Sequence, residues 1–436
     1  MSKRIMVDMS ATLIHHGHIR LLKNASKYGK VIVGLTSDEE IRKKKYFYPE
    51  LAFEHRKEVL ESIKYVSEVV STPWMIDEAI LDKYNIDLLV HGDDNSNKIN
   101  EERLKLLPRT EGISSTLLRH KALESITSIN NQKLMLTPGP AVVLHENLIS
   151  VKPVFGRGDT EYSEIYESVS NWIKHLCGQD KLIVAQGSST FALELAAHNF
   201  VQGKILLVST GYYSDRLEKL LPKDSNIKIC DHQDLEDINE KFDWVMCVYT
   251  ETSIALKLDL AQIRELADKC EAKLYVDATG SIGLEDKHEL ADVMAFSSCK
   301  GLFGLTGACF VAYKDHLIPK SSDLFYFNLE THRNKMVTGA YHALASLYGV
   351  MGIHECLKKR VSNSKDLVLK KWPKLVRKDN QPLLCTYIEG EVLANDDNIV
   401  LYTPRSDLTG SVICHFGEIH YDEVNLLDRI SLASPK

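Results

Sequence analysis

Lys300 is the one charged residue in the stretch AFSSCKGLFG, residues 295–304, whose other members are small or apolar. An ammonium group that needs water is poorly placed there, unless the long lysine stem carries it to the surface. Upstream, Asp277 ends the apolar part of YVDATGSIG, where a poorly solvated carboxylate favours a cationic partner. Earlier still, QGSSTFALELAA, residues 186–197, is a small-residue turn that leads into a helix and suits a phosphate group.

These three features, in this order, predict a pyridoxal 5'-phosphate site. The turn would bind the phosphate, Asp277 would keep the pyridine nitrogen protonated, and Lys300 would form a Schiff base with the cofactor aldehyde. A surface lysine, a helix cap at Asp277 and an ordinary turn would each explain one feature alone. They do not explain why all three occur in this order, each after an apolar strand-like run.

A second group of chemistry-bearing residues lies nearly 300 residues upstream, in LIHHGHIRLL. His15 and His18 flank Gly17 where a strand-like run gives way to a helical one, and a helix N-terminus offers unpaired N–H groups to a phosphate. Gly17 permits close approach of the backbone, and two imidazoles can donate hydrogen bonds to a phosphate that gains charge during an in-line displacement. A surface loop that is rich in histidine by chance explains the segment HHGH, residues 15–18, equally well.

The segment RTEGISSTLLR, residues 109–119, favours the phosphate interpretation. Its middle residues open a helix, so that hydroxyl and backbone N–H groups converge on another anion: Gly112, Ile113, Ser114, Ser115 and Thr116. An ordinary serine cap is the alternative. Two such anion sites in one small α/β region predict a nucleoside triphosphate site.

The elements that must position these residues form two α/β regions. In residues 1–125, strand-like runs alternate with helical ones, which predicts a doubly wound parallel sheet: RIMVDM, HIRLLKNASKYG, KVIVGLTS, FEHRKEVLESIKYV, SEVVST, NIDLLVHGDD and LKLLPRT. The polar segment around 126–133 predicts a linker. Residues 134–436 form the second region, whose pattern loosens into a smaller subdomain from about residue 310.

Bulk composition excludes several classes of protein. A chain of 436 residues is expected to hold two domains, and its net charge of −7 shows no basic excess for a nucleic-acid or membrane partner. The N-terminus becomes polar too early for a signal peptide, and no apolar run approaches membrane-spanning length. Nine cysteines without CxxC pairs predict reduced thiols rather than a disulfide framework or a zinc site, and therefore a cytoplasmic protein.

Residues 1–125 resemble the cytidylyltransferases of the glycerol-3-phosphate cytidylyltransferase type, on HHGH, FEHRK, HGDD and RTEGISST. The resemblance implies a Rossmann-like nucleotidyltransferase domain that uses CTP with Mg²⁺. It implies that His15 and His18 contact the CTP phosphates and that Ser114, Ser115 and Thr116 contact the distal ones. Other residues it places at the nucleotide or the acceptor are Ser10, Gly17, Lys45, Arg109, Gly112 and Ile113.

One departure from that family concerns the segment before the histidines. The family's small-Thr-aromatic-Asp pattern is replaced by MSAT, residues 9–12. The segment VDMSA…LIHHGHI resembles the corresponding segment of the cytidylyltransferase domains that are fused to phosphonate-pathway enzymes. This resemblance points to a phosphonate as the acceptor.

From Leu134 onward the chain resembles the class V, fold type I, aminotransferases, and most closely the 2-aminoethylphosphonate–pyruvate transaminases. The similar segments are LTPGP, QGSSTFALE, TGYYSDR, YTETS, DATGSIG, SSCKGLFG and MVTGAYHAL. The resemblance implies that Lys300 moves the substrate proton and that Thr338 reaches the cofactor phosphate of a partner subunit, and hence a homodimer. It assigns the cofactor phosphate and ring contacts to Ser188, Ser189, Thr190, Thr252 and Leu217.

The C-terminal part departs from this family at the substrate carboxylate. The family's RIGxxG segment corresponds to VICHFG, residues 412–417, so that Val412 stands where an arginine is expected. Valine cannot clamp a carboxylate. Arg405, Arg333 or Arg157 can replace it; otherwise the amino donor and acceptor are unusual, or this region no longer transaminates.

Together the two sites predict a bifunctional enzyme that decorates a surface glycan or lipid. The C-terminal half would use an amino-acid donor to aminate phosphonoacetaldehyde to 2-aminoethylphosphonate, and the N-terminal half would convert the product and CTP into CMP-2-aminoethylphosphonate and pyrophosphate. One alternative is amination of dihydroxyacetone phosphate to serinol phosphate, followed by formation of CDP-serinol. Others are a pyridoxal phosphate lyase or decarboxylase as the second half, or one half that is purely structural.

Overall fold

A computed structural model of the chain describes residues 2–45, 49–110, 112–119, 121–122, 134–151, 156, 158–377, 380–405, 408–416 and 429–433. The chain divides into two compact units, residues 1–131 and 132–436. Both units are α/β, which confirms the predicted fold class. The predicted linker, residues 126–133, lies outside the described residues, so the domain boundaries stay a prediction.

The N-terminal unit is built on five parallel strands in the order β3-β2-β1-β4-β5, as the alternating pattern predicts. Strands β1 and β2 are almost wholly buried, because helices cover both faces of such a sheet. The chain leaves β1 for β2 on one side and later returns to β4 on the other, which opens a crevice at the carboxyl ends of the strands. The strands are β1 Arg4–Met9, β2 Lys30–Thr36, β3 Val66–Thr72, β4 Leu88–Gly92 and β5 Leu104–Leu107.

Four helices of this unit have complete bounds, and a further helical turn covers residues 115–119. The helices are His16–Ala25, Asp38–Lys45, Phe53–Glu61 and Glu78–Lys83. Arg56, the arginine of FEHRK, is completely buried and donates to the carbonyl oxygens of Ser10 and Thr36, at 2.5 and 3.0 Å. It therefore fixes the backbone at the carboxyl ends of β1 and β2.

The C-terminal unit is built on seven strands in the order β7-β15-β14-β13-β10-β8-β9. All neighbours run parallel except β15, which is antiparallel to both β14 and β7. Apolar side chains cover both faces of this sheet and form the two largest core clusters. The strands are β7 Lys181–Gln186, β8 Lys204–Ser209, β9 Asn226–Asp231, β10 Trp244–Val248, β13 Lys273–Asp277, β14 Val293–Ser297 and β15 Ala308–Tyr313.

Short strands surround this sheet in pairs. Strand β6 runs parallel to β18, with Leu134 opposite Ile399, so the first described residues of the unit pair with late ones. The pairs are β11 Thr250–Glu251 with β12 Leu256–Lys257, β16 Cys385–Ile388 with β19 Ser411–Cys414, β17 Val392–Ala394 with β20 Ile430–Leu432, and β6 Leu134–Leu136 with β18 Ile399–Leu401.

Helices pack on both sides of the large sheet and beside the short strands. They are His145–Ser150, Thr160–Cys177, Ser189–Phe200, Tyr212–Lys219, Leu260–Lys269, Leu329–Arg333, Tyr341–Met351 and His354–Lys371. Within the described ranges of either unit, the helices are too short or too polar to cross a membrane.

Candidate active sites

A cavity of about 600 Å³ opens at the carboxyl ends of the strands of the N-terminal unit. Nine of the residues predicted from the sequence line it: Ser10, His15, Gly17, His18, Arg109, Ile113, Ser114, Ser115 and Thr116. Gly112 is not in the lining, but its φ of +71° gives the turn before Ile113 a left-handed conformation that favours glycine. The side chain of Lys45 lies outside the described part of the chain.

The two histidines are held by the start of the first helix. His15 caps the helix Gly17 belongs to, and its Nδ1 accepts from the Gly17 N–H at 3.1 Å, while His18 Nδ1 accepts from the His15 N–H at 3.3 Å. Because Nδ1 is the acceptor in each ring, Nε2 carries the proton of the neutral imidazole. Burial lowers the pKa of His15, as do the nearby His16 and Arg109, so His15 is a neutral N–H donor near pH 7. A side chain at position 17 would lie 2.9 Å from His15 Nδ1, which explains the glycine.

The serine cluster caps a helical turn and also lines the cavity. Ser114 Oγ accepts from the Leu117 N–H at 3.0 Å and so caps the helical turn, and Ser115 Oγ donates to the Leu13 carbonyl oxygen at 3.0 Å. Both side chains also line the cavity, together with Thr116. Arg109 Nη1 donates to Asp94 Oδ2 at 3.0 Å, so the guanidinium lies beside the same cavity.

The cavity also contains polar residues that the sequence analysis did not assign. Asp8 and His91 lie at the ends of β1 and β4, and Asp94 and Asn97 follow β4. Asp8 is the second-last residue of an apolar strand and Asp277 the last of another, so the sequence carried a similar signal at both positions. Arg20 and Lys23, three residues apart in the first helix, also line the cavity, as does Lys27 in the turn that follows this helix.

A smaller cavity, of about 200 Å³, lies in the C-terminal unit. Lys300, Asp277, Thr252 and Ser189 line it, as predicted for one common site. Burial lowers the pKa of Lys300, and the positive charge of Arg216 lowers it further, whereas the negative charge of Asp277 raises it. Gly139 packs on the lysine stem, because a Cβ there would lie 3.0 Å from Lys300 Cγ.

Asp277 is 2% exposed and ends β13. Its Oδ1 accepts from the Thr279 N–H at 2.9 Å, and its Oδ2 lies 3.6 Å from Arg216 Nη2. Four buried polar atoms beside it have no hydrogen-bond partner among the described residues: Thr250 Oγ1, Thr252 Oγ1, Thr279 Oγ1 and Arg216 Nε. Because buried polar groups are normally paired, this lining fits a polar ligand such as pyridoxal phosphate.

Four of the predicted cofactor contacts lie elsewhere than in this lining. Ser188 caps the helix Ser189–Phe200 through the Phe191 N–H at 3.4 Å, and Thr190 belongs to its first turn. Leu217 is completely buried in a core cluster, and Tyr213 and Arg216 of the same helix line the cavity instead. Thr338 lines a separate depression of about 100 Å³, so its role in a partner subunit stays a prediction.

Of the three arginines that could replace the one expected at position 412, the structure places one in the Lys300 cavity. Val412 is buried in the apolar core, opposite Tyr387. Arg405 lines the Lys300 cavity, where its Nη1 donates to the Tyr212 hydroxyl at 3.3 Å. Arg333 is instead bonded to Glu330 and to the Tyr313 hydroxyl and does not line the cavity. Arg157 lies outside the described residues.

The N-terminal unit matches a known protein family. The cytidylyltransferase-like family model matches residues 11–121. Glycerol-3-phosphate cytidylyltransferase from Bacillus subtilis (strain 168) is 36% identical over 126 residues, which are 27% of this chain and 96% of that protein. Ethanolamine-phosphate cytidylyltransferase from Mus musculus is 35% identical over 125 residues, which are 26% of this chain and 31% of that protein.

Solved structures are similar to a larger part of the chain. An aspartate aminotransferase of subgroup IV from Thermus thermophilus has a TM-score of 0.56 at 19% identity and covers 64% of this chain and 91% of its own. An alanine–glyoxylate aminotransferase from Nostoc sp. has a TM-score of 0.55 at 16% identity and covers 66% of this chain and 92% of its own. At these identities the likeness is one of fold.

Proposed function

The N-terminal unit of this chain belongs to the cytidylyltransferase-like family, and on that basis we propose that it transfers CMP from CTP to a small phosphonate. The C-terminal unit makes the acceptor, by pyridoxal phosphate-dependent amination of phosphonoacetaldehyde to 2-aminoethylphosphonate. The bifunctional enzyme thus yields CMP-2-aminoethylphosphonate and pyrophosphate, for the decoration of a glycan or lipid. The observation that carries the proposal is the convergence of His15, His18 and the serine cluster on one cavity.

In the N-terminal unit, CTP enters as its magnesium complex. A phosphonate oxygen of the acceptor forms a bond to the α-phosphorus, and the bond from that phosphorus to the bridging oxygen of the β-phosphate breaks, so pyrophosphate leaves with the bond electrons. The Nε2–H groups of His15 and His18 donate to the phosphate oxygens as their charge rises. Arg109, Lys23 and the helix N-termini offset the charge of the distal phosphates.

In the C-terminal unit, the N-terminus of the helix Ser189–Phe200, with Ser188 and Thr190, would hold the cofactor phosphate. Asp277 would hold the proton on the pyridine nitrogen, and Tyr213 rather than Leu217 would lie against the ring. Pyridoxal phosphate supplies an aldehyde for the exchange of amino groups and a ring that delocalises the electron pair of a broken C–H bond. Lys300, whose pKa is lowered by burial, moves the proton of that bond through its Nζ.

We propose that Arg405 binds the anionic group of the substrate in place of the missing arginine at position 412. Its guanidinium lies 5.4 Å from the Tyr212 ring centroid, and the described residues include no carboxylate paired with it. A carboxylate or phosphonate in the Lys300 cavity would supply that partner. Arg216, whose guanidinium carbon lies 4.7 Å from the Tyr213 ring centroid, is already directed to Asp277.

Replacement of Arg405 by alanine is expected to raise the KM for the anionic substrate about 10- to 100-fold, since hydrogen bonds to charged groups contribute about 1.5–3 kcal/mol. Steady-state amino transfer, measured against phosphonoacetaldehyde concentration, checks this. Arg333→Ala is the matched control, because its side chain is bonded outside the cavity. A large rise in KM for Arg333→Ala with none for Arg405→Ala would reverse the assignment.

We further propose a homodimer in which Thr338 of one subunit contributes to the cofactor phosphate of the other. Large apolar side chains near Thr338 in the chain support such an interface, because they are more than half exposed: Ile318, Leu324, Phe325 and Met336. The cytoplasmic location stays a prediction.

Pyrophosphate release with CTP and Mg²⁺ tests the proposed function directly. Purified protein would be given 2-aminoethylphosphonate, phosphonoacetaldehyde, serinol phosphate, phosphoethanolamine and glycerol 3-phosphate in separate assays. Preference for 2-aminoethylphosphonate is expected and places amination before activation. Preference for serinol phosphate would instead indicate that the protein forms CDP-serinol. If no amino-bearing acceptor leads to pyrophosphate release, the proposed cytidylyl transfer is refuted.

A further inference from the structure

His354 is a buried titratable side chain that the function proposed above does not use. It begins the helix His354–Lys371 and is 2% exposed. Its ring contacts those of Trp172 and Phe303, whose centroids lie 5.3 and 5.6 Å away. Burial lowers the pKa of His354, so the ring is neutral near pH 7 and has a single N–H donor.

That donor is directed at the residue after Lys300. His354 Nε2 lies 2.8 Å from the Gly301 carbonyl oxygen. A carbonyl oxygen can only accept, so Nε2 carries the proton of the neutral ring. The bond is buried, and a buried carbonyl oxygen that loses its donor is costly.

The carbonyl oxygens around Lys300 show what this bond holds. Three successive ones, ending with that of Lys300, accept hydrogen bonds from backbone N–H groups. The bonds are Gly304 N–H to Ser298 at 2.8 Å, Ala141 N–H to Cys299 at 2.7 Å and Phe303 N–H to Lys300 at 2.8 Å. The next carbonyl oxygen, that of Gly301, accepts from the His354 side chain instead. One side of the Lys300 turn is therefore held by a group that a substitution can remove.

The same bond lies where the segment after Asp277 meets the turn that carries Lys300. Gly283 has a φ of +76°, and a Cβ there would lie 2.5 Å from the Gly301 carbonyl oxygen and 2.8 Å from His354 Nε2. A Cβ at Gly301 would lie 2.1 Å from a carbonyl oxygen of the segment after Asp277. The two glycines let these backbone segments approach, and His354 donates at their contact. Because Asp277 and Lys300 line one cavity, the bond fixes the position of one relative to the other.

We propose that His354 is a positioning residue for Lys300, whose amine it places through the Gly301 backbone. The inference rests on the proposed amination and adds a residue to its site. A shift of about 1 Å in a reacting group can lower kcat about 10²-fold. Because His354 acts through the backbone next to Lys300, its loss should affect the amine and spare the other contacts to the cofactor.

Two forms of the cofactor separate this positioning from general stability. Pyridoxal 5'-phosphate binds covalently, because Lys300 Nζ forms a C=N bond to its aldehyde carbon and the aldehyde oxygen leaves as water. Pyridoxamine 5'-phosphate carries an amine in place of the aldehyde and binds without that bond. Calorimetric titration of the cofactor-free protein measures both Kd values and needs no turnover.

His354→Leu, which removes the donor, is expected to raise the Kd for pyridoxal 5'-phosphate about 10- to 100-fold. The Kd for pyridoxamine 5'-phosphate should change less than about threefold. His354→Gln should keep both Kd values within about threefold of the wild type, because its amide N–H can replace Nε2–H.

His415→Leu is the matched control. His415 is completely buried in the same unit, but it bonds to Thr386 and does not line the Lys300 cavity. Its replacement should lower the temperature of thermal unfolding and leave both Kd values unchanged. If His354→Leu does not fold, His354→Met fills a similar volume and must give the same selective loss.

Equal weakening of both compounds by His354→Leu, or failure of His354→Gln to restore binding of pyridoxal 5'-phosphate, would mean a purely structural role and overturn the proposal. Amino transfer to phosphonoacetaldehyde, measured in parallel, tests the proposed function separately. If the wild type transfers no amino group but the selective loss occurs, the inference holds and the amination fails. If the wild type transfers amino groups and His354→Leu binds both compounds normally, the amination stands and the inference fails. If the wild type binds neither compound, both fail.

Discussion

Replacement of Lys300 by alanine is expected to lower amino transfer to phosphonoacetaldehyde at least about 10³-fold and to leave pyrophosphate release by the other unit unchanged. The reason is that Lys300 is the amine that shares a cavity with Asp277 and the unpaired threonine hydroxyls, and that burial lowers its pKa. Appearance of the keto acid from the amino donor measures the loss. Absorbance of the bound cofactor in the visible range should disappear at the same time.

Lys314→Ala is the matched control, because Lys314 belongs to the same unit but its Nζ donates to the Gly178 carbonyl oxygen outside the cavity. Circular dichroism should show that both variants fold. If Lys300→Ala kept more than about a tenth of the amino transfer, Lys300 would not be the catalytic amine and the pyridoxal phosphate proposal would lose its main support.

The second large effect is expected at His15, where substitution can separate structure from catalysis. Asparagine is a good helix cap, so His15→Asn should retain the bond from the Gly17 N–H and the stability of the unit. It removes the Nε2–H donor, and loss of one donor to a developing charge costs about 10²–10³ in kcat. His15→Ala should show the same catalytic loss together with a free energy of unfolding about 1 kcal/mol smaller.

Pyrophosphate release and thermal unfolding of the three proteins check this separation. His16→Asn is a control from the neighbouring position, since His16 is exposed and does not line the cavity. Near wild-type activity for His15→Asn would mean that His15 only caps the helix. The phosphate contact would then belong to His18 alone.

Local patterns in the sequence predicted most of both sheets and the residues at helix starts. His15, His18, Ser114 and Ser115 could be found because a helix N-terminus creates an anion site within a few residues of chain. The reversal of β15 could not be predicted, because strand direction depends on a pairing partner distant in the sequence.

Contacts between distant residues account for what the sequence analysis missed. Asp8 and His91 are far apart in the sequence and meet only because β1 and β4 are neighbours in the sheet. Tyr213 and Leu217 lie one helical turn apart, and only the packing of that helix decides that Tyr213 lines the cavity and Leu217 enters the core. Likewise, the position of Arg405 beside Lys300 depends on the tertiary fold.

The pairing of β6 with β18 has a consequence for synthesis on the ribosome. The sheet of the N-terminal unit is complete once Leu107 has been made, so this unit can fold while translation continues. Leu134, in contrast, must wait for Ile399, and at about 5–20 residues per second that delay lasts tens of seconds. During this interval the nascent second unit exposes apolar surface, and its Lys300 cavity still lacks Arg405. A ribosome-associated chaperone would therefore act on the second unit rather than the first.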